Sequence, residues 1–112
     1  MKEYCRVYWT SDEGVRFFGP GPAELLERVA VCGSLTRAAE EMHLSYSKAL
    51  RMIHTAEREL GMALLKSASG GASGGGSTLT AQGEEVLRRF RACEAAAEQA
   101  SQAEFGRQFP KP

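Results

Sequence analysis

Ser45, Tyr46, Ser47, Lys48 and Arg51 place three hydroxyls from the Ser and Tyr residues and two cations within seven positions. Hydroxyls and cationic N–H groups are the side chains that grip phosphate oxygens and the N7/O6 edge of guanine. Lys48 and Arg51 stand three residues apart, which puts them on one face of a helix. Taken alone, the group also describes an ordinary solvated helix face. Its meaning depends on what holds it.

Other chemistries find less support. The Gly-rich run from Ser67 to Gly76 could cradle a phosphate, but Ser77 and Thr78 follow Gly76 where a P-loop carries lysine. The run also has the composition of a linker. His43 and His54 have no Cys or carboxylate partners at zinc-like spacing, so no metal site is expected. Cys5, Cys32 and Cys93 are odd in number and far apart, which argues against a disulfide framework and fits a reducing cytoplasm. They read as small buried hydrophobes. No nucleophile elbow or carboxylate pair gathers Ser, His and Asp, so neither an enzyme nor a cofactor is expected.

The elements that must position Ser45–Arg51 can be read from periodicity. Residues 1–19 read as an N-terminal hairpin, with Cys5, Val7 and Trp9 on one face of its first strand and Val15–Phe18 as its second. Residues 22–61 read as a three-helix core. Leu25, Leu26, Val29 and Ala30 make the first apolar stripe, Leu35, Ala38, Ala39 and Met42 the second, and Ala49, Met52, Ile53 and Ala56 the third. Gly33 and Gly61 are expected to end helices, and Ser34 and Ser45 to cap them. Residues 62–79 read as two short strands around the Gly-rich loop. Thr80 caps a last helix to about residue 105, roughly 37 Å long if continuous, and residues 106–112 form a tail. The fold class is mainly α with small β, in one domain over residues 1–112.

Composition sets limits. The chain has 112 residues, 43% hydrophobic and 25% charged, which is globular. No apolar run is long enough to span a membrane, and the first residues lack the apolar core of a secretory signal, so a cytoplasmic protein is expected. Formal charge is zero, which by itself speaks against nucleic acid. The charge is uneven, however. Lys48, Arg51, Arg58 and Lys66 outnumber Glu57 and Glu59, and Arg88, Arg89 and Arg91 outnumber Glu84 and Glu85, whereas residues 21–44 are net acidic.

The order helix, helix, turn, polar-tipped helix, β-loop-β, helix is that of a winged helix-turn-helix. The segment from Gly33 to Tyr46, GSLTRAAEEMHLSY, resembles the helix-turn-helix of ModE-type molybdate-responsive regulators, relatives of the LysR class. The Gly-rich hairpin before Leu79-Thr80-Ala81-Gln82-Gly83-Glu84 resembles that family's wing and its LTxxGE helix start. Arg16–Gly21 looks like its lead-in. The resemblance spans about residues 15–91.

What it implies is a DNA-binding transcriptional regulator. Ser34, Thr36 and Arg37 would touch phosphate, and Ser45, Tyr46, Ser47, Lys48 and Arg51 would enter the major groove of double-stranded DNA. Ser69, Gly70, Gly71, Gly74, Gly75 and Ser77 would form the wing. The last helix outruns the core of a small domain, so a homodimer is expected through Leu25, Val29, Phe90, Cys93, Ala97 and Ala100. Two departures weaken the grip: one cation is missing after Ser45-Tyr46, and residues 67–78 contain none. The family's sensor module is absent from these residues, so no molybdate binding is expected of them. The rival reading is a winged-helix protein–protein interaction module with little DNA affinity.

Overall fold

The computed structural model describes residues 1–68 and 76–112. Its order is β1 (Trp9–Thr10), β2 (Arg16–Phe18), α1 (Pro20–Cys32), α2 (Leu35–Glu41), α3 (Tyr46–Leu60), β3 (Leu65–Ala68), β4 (Gly76–Leu79) and α4 (Ala81–Gln108). The strands form two separate antiparallel pairs, β1 with β2 and β3 with β4. Leu65 faces Leu79 at the open end of the second pair, away from the connection between the strands, and Lys66 faces Thr78.

Local chemistry explains the boundaries. Pro20 occupies the first helical position of α1, where its missing N–H costs nothing, so the helix begins two residues earlier than Pro22 alone implies. Ser34, Ser45 and Thr80 cap α2, α3 and α4, their hydroxyls accepting from the N–H groups of Arg37, Lys48 and Gly83. Gly33 and Gly61 close α1 and α3 at φ values of 72° and 70°, the left-handed conformation that glycine adopts without strain. His43 makes the turn between α2 and α3, also at positive φ.

One core joins all the helices. Leu25, Leu26 and Val29 of α1, Ile53 of α3 and Phe90 of α4 are buried, with Phe18 and Leu64 beside them. Trp9 stacks on Phe18 and meets Phe90 edge-on, with ring centroids 5.3 and 5.2 Å apart. Outside the core, Arg91 of α4 bonds Glu27 of α1, and Glu94 holds the same guanidinium from one turn on.

Several expectations need correction. The first strand spans only Trp9–Thr10, because the register slips between those residues and β2 offers three residues as partner. Residues before Val7 instead run back along α4: the Glu3 carbonyl accepts from Gln102 at 2.6 Å, and its carboxylate accepts from Ser101. The strand expected from residue 62 begins at Leu65, because the N–H groups of Leu64 and Leu65 donate to the Glu57 carboxylate. Cys5 and Cys93 are exposed and so are not the buried hydrophobes expected, while Cys32 is half-buried against the core.

Candidate nucleic-acid interface

The apolar stripe of α3 dictates which side chains face outward. Ala49, Ile53 and Ala56 are buried against the core. With 100° of turn per residue, that leaves Ser47, Lys48, Arg51, His54 and Arg58 on the opposite side. Lys48, Arg51, His54 and Arg58 are exposed, as are Ser45, Tyr46 and Ser47. The Ser45 hydroxyl accepts from the Lys48 N–H at 3.1 Å, which fixes where the helix begins and therefore which residues lead it.

α2 stands beside this face. Thr36 and Arg37 are exposed, and Ser34 is half-buried with its oxygen accepting from the Arg37 N–H at 3.1 Å. Ser34 therefore acts first as a cap. The α2–α3 turn is tightened by the Leu44 N–H donating to the Ala39 carbonyl at 2.9 Å.

Ion pairing separates two classes of arginine. Arg28 is held by Glu24 and Glu41, Arg88 and Arg89 by Glu85, and Arg91 by Glu27 and Glu94. Among the described residues, Arg37, Lys48, Arg51, Arg58 and Lys66 take part in no ion pair. The described arginines of α4 thus sit against carboxylates of the same protomer, while the cations of α2, α3 and β3 do not. Neutral total charge conceals this division.

The β3–β4 pair is anchored beside the helix-turn-helix by the Ser77 N–H donating to the Gly33 carbonyl at 2.9 Å. Ser77 is half-buried. The expected wing residues Ser69, Gly70, Gly71, Gly74 and Gly75 lie outside the described residues. Lys66, on β3, is exposed and supplies a cation next to that loop. It lies one residue before the uncharged stretch 67–78. His54 and Arg58 extend the same face beyond the leading turns of α3. The helical repeat of Arg51, Arg58 and the position between them was the available signal.

The expected dimer residues divide. Leu25, Val29 and Phe90 are 0%, 1% and 0% exposed, so they belong to the protomer's own core and offer a second copy no surface. Cys93 and Ala100 are exposed and Ala97 is half-buried. No helix among the described residues is long and apolar enough to cross a membrane, and no cluster of three metal-ligating side chains occurs among them.

Comparison with known proteins adds an independent line. Residues 23–84 match the bacterial regulatory helix-turn-helix protein, lysR family. The transcriptional regulator ModE of Haemophilus influenzae is 31% identical over 74 residues, covering 66% of this chain and 29% of that one. The molybdenum transport protein ModE of Herbaspirillum seropedicae is 36% identical over 76 residues, covering 68% and 26%. This chain therefore spans under a third of the length of these curated relatives. The CbnR DBD–DNA complex superposes with a TM-score of 0.61 at 24% identity, covering 79% of this chain and 95% of that one, a likeness of fold.

Proposed function

Because the chain belongs to the lysR family of bacterial regulatory helix-turn-helix proteins, we propose that it regulates transcription in the cytoplasm by binding double-stranded DNA through α3. The observation that carries this reading is the exposed basic row of Lys48, Arg51 and Arg58, free of ion pairs among the described residues, opposite the buried Ala49–Ile53–Ala56 stripe. Ser45, Tyr46, Ser47, Lys48 and Arg51 lie at the leading end, where base edges are read, and Arg58 and Lys66 lie toward the phosphates. Ser34, Thr36 and Arg37 meet the backbone from α2, with the helix N-terminus adding its N–H groups.

A second copy doubles a modest set of cations. With Leu25, Val29 and Phe90 inside the core, the dimer seam falls on α4 beyond Phe90. Cys93, Ala96, Ala100 and Ala103 recur at heptad spacing on a face turned away from Glu3, Ser101 and Gln102. Ala97 flanks them.

Selection from random duplex DNA tests the reading. An enriched two-fold symmetric site, bound less tightly at ~150 mM salt than at low salt, is expected. No enrichment at low salt would leave the rival interaction module as the better account.

A further inference from the structure

Beside α3, a cavity of about 270 Å³ opens between the N-terminal hairpin and the helix. Its walls are apolar: Tyr8, Phe17, Pro22 and Met52. Two glycines give it shape. A Cβ on Gly19 would lie 2.5 Å from Cδ1 of Tyr8, so the Tyr8 ring rests on bare backbone and forms a wall there. A Cβ on Gly21 would come within 3.3 Å of the Met52 methyl.

The rim has one sign of charge. Arg16, Lys48 and Arg51 line the cavity, and no carboxylate does. Arg16 lies over the Tyr8 ring, its guanidinium carbon 4.0 Å from the centroid. Among the described residues none of these cations is ion-paired. An apolar slot of this size sits just below the usual range for small-molecule sites, roughly 300–1,000 Å³, which limits the occupant to about one ring. Aromatic walls and a thioether favour a flat π face, and a cationic rim favours an anion.

We propose that this cavity binds a small aromatic carboxylate, with its ring between Tyr8, Phe17 and Met52 and its carboxylate on Arg16, Lys48 and Arg51. Lys48 and Arg51 are also the leading cations of the DNA face, so ligand and DNA compete for them. A bound acid lowers DNA affinity. This second consequence rests on the proposed DNA binding; occupancy of the cavity does not.

Phenylacetate is the probe, with phenylacetamide as its uncharged match and acetate as the anion lacking a ring. Titrated into isotope-labelled protein without DNA, phenylacetate shifts the backbone signals of Tyr8, Phe17 and Met52 saturably, with a midpoint near ~1 mM. Phenylacetamide and acetate each bind at least about tenfold more weakly, and Arg16→Ala weakens phenylacetate by about tenfold. No saturation by about 10 mM, or equal binding of the uncharged match, overturns the site. In the presence of DNA, saturating phenylacetate weakens the wild-type complex more than equal acetate does. An unchanged complex with the cavity filled overturns the competition. If the protein binds no DNA at all, the proposed function fails while the titration still decides the cavity.

Discussion

A Cβ added at Gly83 would lie 2.2 Å from the carbonyl oxygen of Leu64, closer than any side-chain atom can approach backbone. That carbonyl also accepts from the Thr80 N–H at 2.9 Å, and the Thr80 hydroxyl donates to the Ala63 carbonyl at 2.6 Å. The first turn of α4 is therefore clamped onto the chain just before β3. Glycine is required at 83 for close approach, within a helix that would otherwise favour alanine. Replacing Gly83 with Ala is expected to destabilise the protein by about 1–3 kcal/mol, the usual cost of overpacking against atoms that cannot yield. Urea unfolding measures it, and an unchanged midpoint would show that α4 can shift without cost.

Glu57 performs a related task from α3. Its carboxylate accepts from the N–H groups of Leu64 and Leu65 at 2.8 and 3.4 Å, ending the turn after Gly61 and starting β3. Glu57→Ala removes a charged acceptor from two backbone donors and should cost about 1.5–3 kcal/mol. Glu57→Gln, which keeps an acceptor oxygen, should cost less. Equal losses from the two variants would mean the charge and not the hydrogen bonds matters.

On the DNA face, Lys48→Ala combined with Arg51→Ala should weaken binding while leaving thermal stability unchanged, because both side chains are exposed and in no ion pair among the described residues. If both contact phosphate, the slope of log affinity against log salt flattens by roughly 1.8. If Arg51 reads guanine, the slope changes by about half that and sequence preference relaxes at one position. Unaltered affinity in the double variant contradicts the assignment of α3.

The dimer seam can be tested at one position. Ala100→Arg introduces a long cation at the centre of the proposed α4 contact without touching the protomer's core, since Ala100 is exposed. Sedimentation should change from dimer to monomer, with the circular dichroism spectrum retained. A dimer that persists would place the contact elsewhere.

Glu85 gives a pH signature. Hydrogen bonds from Arg88 and then Arg89 hold its carboxyl at about 2, below the ordinary 4.5. A depressed value in the folded state means that this support for α4 is complete above the ordinary carboxylate value and is lost as pH falls toward 2. A carboxyl-carbon NMR titration of Glu85 should therefore have its midpoint near 2 in the wild type and return toward 4.5 in Arg88→Ala with Arg89→Ala.

Helix starts and stops were the most legible features of the sequence, because Ser34, Ser45, Thr80, Gly33 and Gly61 act within one turn of themselves. Features set by distant partners were harder to read. The alternation of Cys5, Val7 and Trp9 suits a strand, but a strand needs a neighbour, and β2 supplies only three residues. Leu25, Val29 and Phe90 fit an apolar seam equally well inside or between protomers, and periodicity cannot distinguish the two. The leading residues of α3 were legible as a group. Which arginines remain free of carboxylates depended on pairs such as Arg91 with Glu27, 64 residues apart. The cavity was invisible for the same reason, since Tyr8, Gly19 and Met52 meet only in the folded chain.

α4 runs for 28 residues, about 42 Å at the rise of an α-helix. Its base is clamped at Gly83 and tied to α1 through Arg91, while its far half extends beyond the core. Such a rod is a lever. If two copies join along their far halves, about 21 Å of rod separates the seam from the head, and a tilt of about 10° of that length displaces the head bearing α3 by roughly 3.7 Å, close to one base-pair step. The angle at which the rod leaves the head would then act as a ruler for operator spacing. Small repacking around Phe90 and Trp9 could retune which DNA is bound without altering any side chain that touches it.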